Sequence, residues 1–375
     1  MGETADGVQA SVLHGVKDLK LENRSLGPPG PSEVQVAVQA TGLCGSDLHY
    51  FNHYRNGDII VREPLTLGHE SSGVITAVGS GVTSINVGDR VALEVGLPCL
   101  ECEFCTSGRY NICKTLRFRS SAKSFPHFQG TLQKRINHPA AYCHKLPDSV
   151  SQDLGALLEP LGVAIHGLRR AALKPGCTAL VFGAGAVGLL CAAVCKISGV
   201  KEVIIADIQE DRLNFAVENK FADAKVLVPM KRFEAIEEKL KFAKEVAELV
   251  KKASSAGEVD TVFECTGVES CLQASIYATK PGGRIMLIGM GNPIQTLPIS
   301  AAALREVDLV GVFRYANTYD EAIKIVSSDD PLLPDLSKLI THRYHGFENI
   351  PDAFAMAGRV KDDEGKLVLK VFVET

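Results

Sequence analysis

Four cysteines fall within fifteen residues of the stretch GLPCLECEFCTSGRYNIC: Cys99, Cys102, Cys105 and Cys113. A C-x-x-C spacing lets two thiolates converge on one ion, and four sulfurs close a tetrahedral zinc shell. Iron–sulfur clusters also use four cysteines, but with other final spacings; here the seven residues TSGRYNI separate the last two. The segment MGETADGVQASVLHG has neither a basic n-region nor an apolar h-region, and Asp6 stands where a myristoylation signal at Gly2 wants Ser or Thr. A cytoplasmic protein is therefore expected, and in that compartment clustered cysteines serve metals rather than disulfides. Zinc is the expected occupant. With every position filled by protein it has no place for a substrate, so it is structural and the chemistry lies elsewhere.

Two further stretches carry metal-ligating side chains. GLCGSDLHY places Cys44 just after a strand, and LGHESSG places His69 beside Glu70. Few protein ligands with one open position are what a catalytic zinc requires. The other cysteines differ: Cys191 and Cys195 lie four apart on an apolar helix face, and Cys143, Cys177, Cys265 and Cys271 are isolated, as packing residues are.

A third chemistry is written at 183–188. GAGAVG fits G-x-G-x-x-G, preceded by the strand-like ALVF and followed by the helical LLCAAVCK. Asp207 ends the next strand, nineteen positions past Gly188. Gly183 permits the tight turn, Gly185 lets the backbone approach a pyrophosphate, and Gly188 lets helix and strand close together. The helix N-terminus then offers free N–H groups to phosphates. Asp207 would accept hydrogen bonds from a ribose 2′-hydroxyl and repel a 2′-phosphate, and Ile208 rather than Arg follows it, so NAD is favoured over NADP. A methyltransferase with a similar Gly-rich turn is the rival reading.

The elements that must position these groups change character along the chain. SEVQVAVQATGL and SGVITAVGSGV alternate apolar and polar residues between Gly and Pro turns, a β-rich beginning. From about residue 153 short apolar strands (KEVIIADI, VDTVFECTG, GRIMLIGMG) alternate with helical periods, which predicts a doubly wound parallel sheet. Beyond residue 300 the pattern is mixed and ends on the strand-like GKLVLKVFVE. The 375 residues suffice for two domains. A net charge of −4 gives no reason to expect nucleic acid or an anionic membrane as partner, and no apolar run reaches bilayer-spanning length.

TGLCGSDLHY, LGHESSG, VGDRVALE, the four-cysteine lobe, LLEPLGVAIHGLRRA, GAGAVG and REVDLVGVFRYANTY occur in this order from about residue 8 to the C-terminus. Together they resemble the zinc-containing medium-chain dehydrogenases, and within them the polyol branch of sorbitol, xylitol and L-arabinitol dehydrogenases. The resemblance implies an α/β protein: a GroES-like β-rich catalytic domain of residues 1–158 and 297–375, carrying a zinc lobe at 96–114, around a Rossmann domain of residues 159–296. It implies a catalytic zinc on Cys44, His69 and Glu70, with Glu159 contacting the zinc water or entering the shell, and hence two zinc ions per chain. Glu159 stands where simple alcohol dehydrogenases have a ligating cysteine, which points to polyols.

The same resemblance implies a proton relay through Ser46 and His49, and substrate contacts from Tyr50, Phe118, Arg314 and Tyr315. Arg212 would lie beside the adenosine, while Val187, Ile288, Gly289, Met290, Phe313 and Arg314 would line the cofactor. The implied activity is NAD-dependent oxidation of a secondary hydroxyl of a polyol, D-sorbitol to D-fructose, with L-arabinitol, xylitol and galactitol as alternatives, in a homotetramer. Departures bear on which polyol. Asn56 and Ile59 stand where larger apolar residues are usual, and RFRSSAKSF lacks the usual Thr-Pro-Pro and adds Arg117 and Arg119. Phe313 leans toward sorbitol; retention of all four lobe cysteines leans toward the L-arabinitol and xylitol enzymes.

Overall fold

A computed structural model describes residues 6–375. Residues 1–5, with Gly2 and the start of the expected 1–158 segment, lie outside the described residues. The chain divides into two units: residues up to Glu159 with Ala316–Ser328 and Leu336–Thr375, and Pro160–Tyr315 with Asp329–Asp335.

The first unit is built on a mixed seven-stranded sheet. Its centre is strand Glu33–Gly42, whose alternating sequence buries Val34, Val36 and Val38 on one face. Strand Glu70–Val78 pairs antiparallel on one side of it and strand Lys370–Glu374 on the other. The register sets Gly42 opposite both Glu70 and Phe372. A Cβ at Gly42 would fall 2.4 Å from Glu70 Oε2 and 3.1 Å from Lys370 Cε, so only glycine leaves room for those side chains. The chain leaves this strand end directly into helix Gly45–His53.

The second unit has six parallel strands, in the order Ala224–Leu227, Glu202–Asp207, Thr178–Phe182, Val259–Glu264, Thr279–Leu287 and Asp308–Gly311. Counted along the chain this is 3-2-1-4-5-6, the doubly wound dinucleotide-binding order, whose switch point lies beside the first strand. Residues 178–182 are all buried, as the continuous apolar run requires of a strand covered on both faces. Residues 297–315, expected with the first domain, belong to this unit. The reason is strand Asp308–Gly311, which completes the sheet by pairing with Thr279–Leu287. None of the described helices is long and apolar enough to cross a membrane.

Candidate metal centres and dinucleotide site

The cysteine lobe folds as a short strand, Gly96–Leu97, a helical turn Glu103–Thr106 and a 3-10 turn Tyr110–Ile112. These turns gather Cys99, Cys102, Cys105 and Cys113 into one set of potential ligands. Sulfur separations are 3.4 Å (Cys102–Cys105), 3.6 Å (Cys113–Cys99) and 3.8 Å (Cys99–Cys105). A tetrahedron with zinc–sulfur arms of about 2.3 Å has edges of about 3.8 Å, whereas a disulfide needs about 2.05 Å. Backbone N–H groups of Glu101 and Cys102 lower the Cys99 thiol. Burial raises Cys113, but the Thr115 hydroxyl and neighbouring N–H groups outweigh it and bring the thiol to about 6. Burial and the neighbouring thiols hold Cys105 up at about 12. Four sulfurs at these separations match the edges of a tetrahedral shell, and the donor set fits zinc.

The second set is Cys44, His69 and Glu70, whose ligand atoms all lie within 4.8 Å of one another. Cys44 is the N-cap of helix Gly45–His53, with extended backbone (φ −100°, ψ 155°). His69 and Glu70 lie where the neighbouring strand begins, across the sheet from the strand that delivers Cys44. Asp47, fully buried, ties the two together. Its Oδ2 accepts the Cys44 N–H at 3.3 Å. Its Oδ1 accepts from His69 Nδ1 and from the Gly68 N–H, each at 3.2 Å, and from Ser120 Oγ at 2.6 Å. Holding Nδ1–H in this way leaves Nε2 for a metal, the usual support of a ligating histidine. Burial raises the Asp47 carboxyl, but the His69 charge and these donors outweigh it and hold it low. Burial depresses the His69 imidazole, yet Asp47 and Cys44 draw it well above its ordinary value. One soft thiolate, one imidazole and one carboxylate suit zinc and leave a position open.

Lys370 pairs its ammonium with Glu70 Oε2 inside the core, at 5 % exposure against 1 % for Glu70. Burial lowers the ammonium pKa, but Glu70, Cys44 and, more weakly, Glu159 raise it overall. Glu159 is buried on helix Gln152–Ala171 among Leu157, Leu158 and Leu161, and it is not one of the three converging ligands. Glu159 lies close enough to Lys370, the partner of Glu70, to act on its charge. Ser46 is half-buried and His49 exposed on the first turns of the helix that Cys44 caps. Phe118 sets its ring edge-on to His69 at 5.5 Å. Tyr50 packs with Leu13, Phe51 and Leu65, and its hydroxyl accepts the Ala122 N–H at 3.2 Å.

In the second unit, the GAGAVG turn joins strand Thr178–Phe182 to helix Ala186–Ile197. Gly183 has φ +96°, and a Cβ at Gly188 would fall 1.8 Å from Gly183 O, so the helix closes on the turn only with glycine there. A Cβ on Gly185, the helix N-cap, would meet no protein atom within 4 Å. That space over unpaired N–H groups is shaped for a pyrophosphate. Asp207 is fixed beside it: Oδ2 accepts the Ala184 N–H at 2.7 Å and Oδ1 the Gln209 N–H at 2.8 Å. Val187, Arg212, Ile288 and Gly289 are half-buried, whereas Met290 and Phe313 are exposed. Gly289 packs backbone to backbone on Gly267, where a Cβ would fall 2.1 Å from Gly267 N. Arg314 has φ +51° and lays its guanidinium over the Phe313 ring at 5.1 Å, and Tyr315 beside it is buried.

Asp47 and Lys370 went unrecognised in the sequence. Each had a signal. Asp47 is three residues after a helix-capping position, and Lys370 is a charge inside the apolar strand run KLVLKVFVE.

Residues 30–148 match the alcohol dehydrogenase GroES-like domain, and residues 186–328 match the zinc-binding dehydrogenase family. The sorbitol dehydrogenase of Gallus gallus is 42 % identical over 362 residues, 96 % of each chain. An Emericella nidulans protein described as "Probable D-xylulose reductase A" is 41 % identical over 319 residues, 84 % of this chain and 85 % of its own. Among solved structures, an Escherichia coli alcohol dehydrogenase complexed with NADH superposes with a TM-score of 0.82 at 26 % identity, covering 99 % of this chain and 100 % of its own.

Proposed function

The chain belongs to the zinc-binding dehydrogenases with a GroES-like domain, and from that membership we propose that it oxidises a secondary hydroxyl of an open-chain polyol to the ketose, using NAD. The observation that carries the reading is the open Cys44–His69–Glu70 set, within 4.8 Å and separate from the closed four-cysteine set. D-sorbitol is the leading substrate, as the activity named for the Gallus gallus relative. L-arabinitol, xylitol or galactitol is the second reading, favoured by the intact cysteine lobe and by the similarity to the D-xylulose reductase.

Zinc on Cys44, His69 and Glu70 supplies Lewis-acid polarisation of the substrate oxygen. NAD supplies the hydride acceptor. The chain does the rest. Asp47 holds the His69 tautomer, and Lys370 supplies the counter-charge to Glu70. Ser46 receives the hydroxyl proton and passes it to the His49 ring, which is exposed and returns it to water. Glu159 would contact the zinc water or enter the shell. Tyr50, Phe118, Arg314 and Tyr315 contact the polyol, Tyr315 through its hydroxyl and Arg314 through its guanidinium N–H groups. Gly183, Gly185 and Gly188 admit the pyrophosphate; Asp207 accepts the ribose hydroxyls and excludes a 2′-phosphate; Arg212, Val187, Ile288, Gly289, Met290 and Phe313 border the dinucleotide. A second zinc stabilises the cysteine lobe. None of the eleven cysteines is joined in a disulfide, which suits the cytoplasm, and a homotetramer is the assembly expected.

The test is NADH or NADPH formation on sorbitol, xylitol, L-arabinitol and galactitol with each cofactor. Turnover of at least one polyol with NAD is expected; no turnover on any of the four removes the polyol assignment, and preference for NADP removes the role given to Asp207.

A further inference from the structure

Arg119 lies in RFRSSAKSF, the segment that departs from the polyol branch, and it is only 4 % exposed. Its Nε donates to His138 Nδ1 at 3.1 Å, one Nη to Gln129 O at 3.0 Å and the other to Asn137 O at 2.6 Å. The guanidinium lies over the Phe128 ring at 4.4 Å, with Arg117 over the same ring at 4.6 Å. None of these partners is a carboxylate. Burial lowers the Arg119 pKa to about 10, so the group still enters the core charged. His138 is fully buried, and its Nε2–H donates to Glu94 O at 3.0 Å, which turns the Nδ1 lone pair to the guanidinium. Burial, and then the Arg119 charge, hold this imidazole neutral.

A buried cation satisfied by neutral acceptors alone is costly, and the fold retains it where an apolar residue of similar size would be cheaper. What it fixes is the backbone of its neighbours. Arg119 N–H donates to Val95 O at 3.2 Å and Ser120 N–H to Phe128 O at 2.9 Å. Ser120 has φ +61°, a left-handed conformation that a serine adopts only when its surroundings impose it. The two flanking side chains go to the same place. Phe118 sets its ring against His69, and Ser120 Oγ donates at 2.6 Å to Asp47 Oδ1, the atom that also holds His69 Nδ1.

We propose that Arg119 is a positioning residue for the Cys44–His69–Glu70 centre: it locks the 118–120 backbone so that Phe118 and Ser120 hold the His69–Asp47 pair in its metal-binding orientation. The inference rests on reading that centre as a metal site. It assigns a role to the departure at this segment, with Arg119 acting through its neighbours rather than by touching substrate.

The test compares the full-length protein with Arg119→Met, Arg119→Lys and Ser120→Ala. Zinc release is followed with a chromogenic chelator, and the ligand-field bands of the cobalt(II)-substituted protein separate the one-thiolate centre from the four-thiolate lobe. Arg119→Met should release zinc from the Cys44 centre about tenfold faster, the scale of loss on removing support behind a metal ligand. It should also shift the one-thiolate cobalt bands and leave release from the lobe unchanged. Ser120→Ala should do the same to a smaller extent, about threefold, since it removes only one of several donors to Asp47. Arg119→Lys should recover part of the wild-type rate. Wild-type release and bands in Arg119→Met, or equal acceleration at both metals, would overturn the proposal. If Arg119→Met does not fold, Ser120→Ala decides, and unchanged release from the Cys44 centre overturns it. A wild-type protein that holds only the lobe metal removes the metal reading and this inference together, and that is seen before any variant is compared.

Discussion

The two cysteine-bearing centres of the first unit solve opposite problems. The lobe draws four like ligands from fifteen consecutive residues, closes its shell and needs little behind it. The Cys44–His69–Glu70 centre draws three unlike ligands from two strand ends about 25 residues apart, leaves its shell open and is supported on several sides. Asp47 fixes the imidazole and caps the backbone of Cys44; Lys370 pairs Glu70; Ser120 reaches Asp47 from a third segment. A closed shell gets its geometry from the ion. An open one must get it from the protein, because the missing ligand cannot help to orient the others.

The comparison breaks hardest at the ligands themselves. Cys44→Ser should lower turnover on the best polyol at least on the order of a thousandfold, the several kcal/mol expected of Lewis-acid stabilisation. The same variant should keep one zinc per chain, held by the lobe, and nearly the wild-type Tm. Substantial turnover with one zinc per chain would move the chemistry away from this centre. Cys102→Ser is its mirror image. It opens the lobe and should cost on the order of 3 kcal/mol, or about 10 °C in Tm, while kcat of the surviving protein stays within about twofold, since no reacting group is touched. An unchanged Tm, or a selective loss of kcat at full stability, would refute the division of labour.

That division was legible in the sequence to unequal degrees. Spacing identified the lobe, because four contiguous ligands leave a local pattern, and it identified the GAGAVG turn and Asp207 for the same reason. The parallel sheet was equally plain in the alternation of apolar strands and helical periods. The pairing of Cys44 with His69 depends on strand register, Gly42 opposite Glu70, which no local pattern records. It became visible only through resemblance. Asp47, Lys370 and Ser120 were missed because they act across segments: Lys370 is some 300 residues from Glu70 along the chain, and only the sheet makes them neighbours. The boundary near 297 was misplaced because the last strand of the parallel sheet, Asp308–Gly311, is only four residues long and lies in a mixed pattern.

A smaller change sharpens the supporting layer. Asp47→Asn preserves shape but replaces one acceptor oxygen by an NH2 group. Both carboxylate oxygens now accept, Oδ2 from Cys44 N–H and Oδ1 from His69, Gly68 and Ser120. Whichever way the amide turns, a donor faces a donor. Zinc affinity of the Cys44 centre and kcat should fall about 10- to 100-fold, with the lobe zinc unaffected. Loss of zinc from both centres would mean that Asp47 holds the fold rather than the metal.

The smallest effect is expected where the lobe meets the rest of its unit. Tyr110 lies between Cys105 and Cys113, and its hydroxyl donates to the buried Glu94 carboxylate and accepts the Asn317 N–H at 2.7 Å. Gly108 O, in the same lobe, accepts from Asn317 Nδ2 at 2.9 Å. Burial, and then the Glu94 charge, push the Tyr110 phenol far above its ordinary range, so it remains a donor at any working pH. Tyr110→Phe removes both bonds, while Glu94 keeps His144 Nε2 at 2.8 Å as a second donor. The loss should be about 1–2 kcal/mol, a fall of a few degrees in Tm, with both zinc ions retained. Asn317 lies just beyond Arg314 and Tyr315 in the chain, so KM for the polyol is the second quantity to measure. A rise in KM at constant kcat would show that the lobe also steadies the segment leading to those two residues, and the closed centre would then have a function beyond stability. An unchanged KM with the lowered Tm would leave the lobe a staple and keep the contrast between the two centres intact.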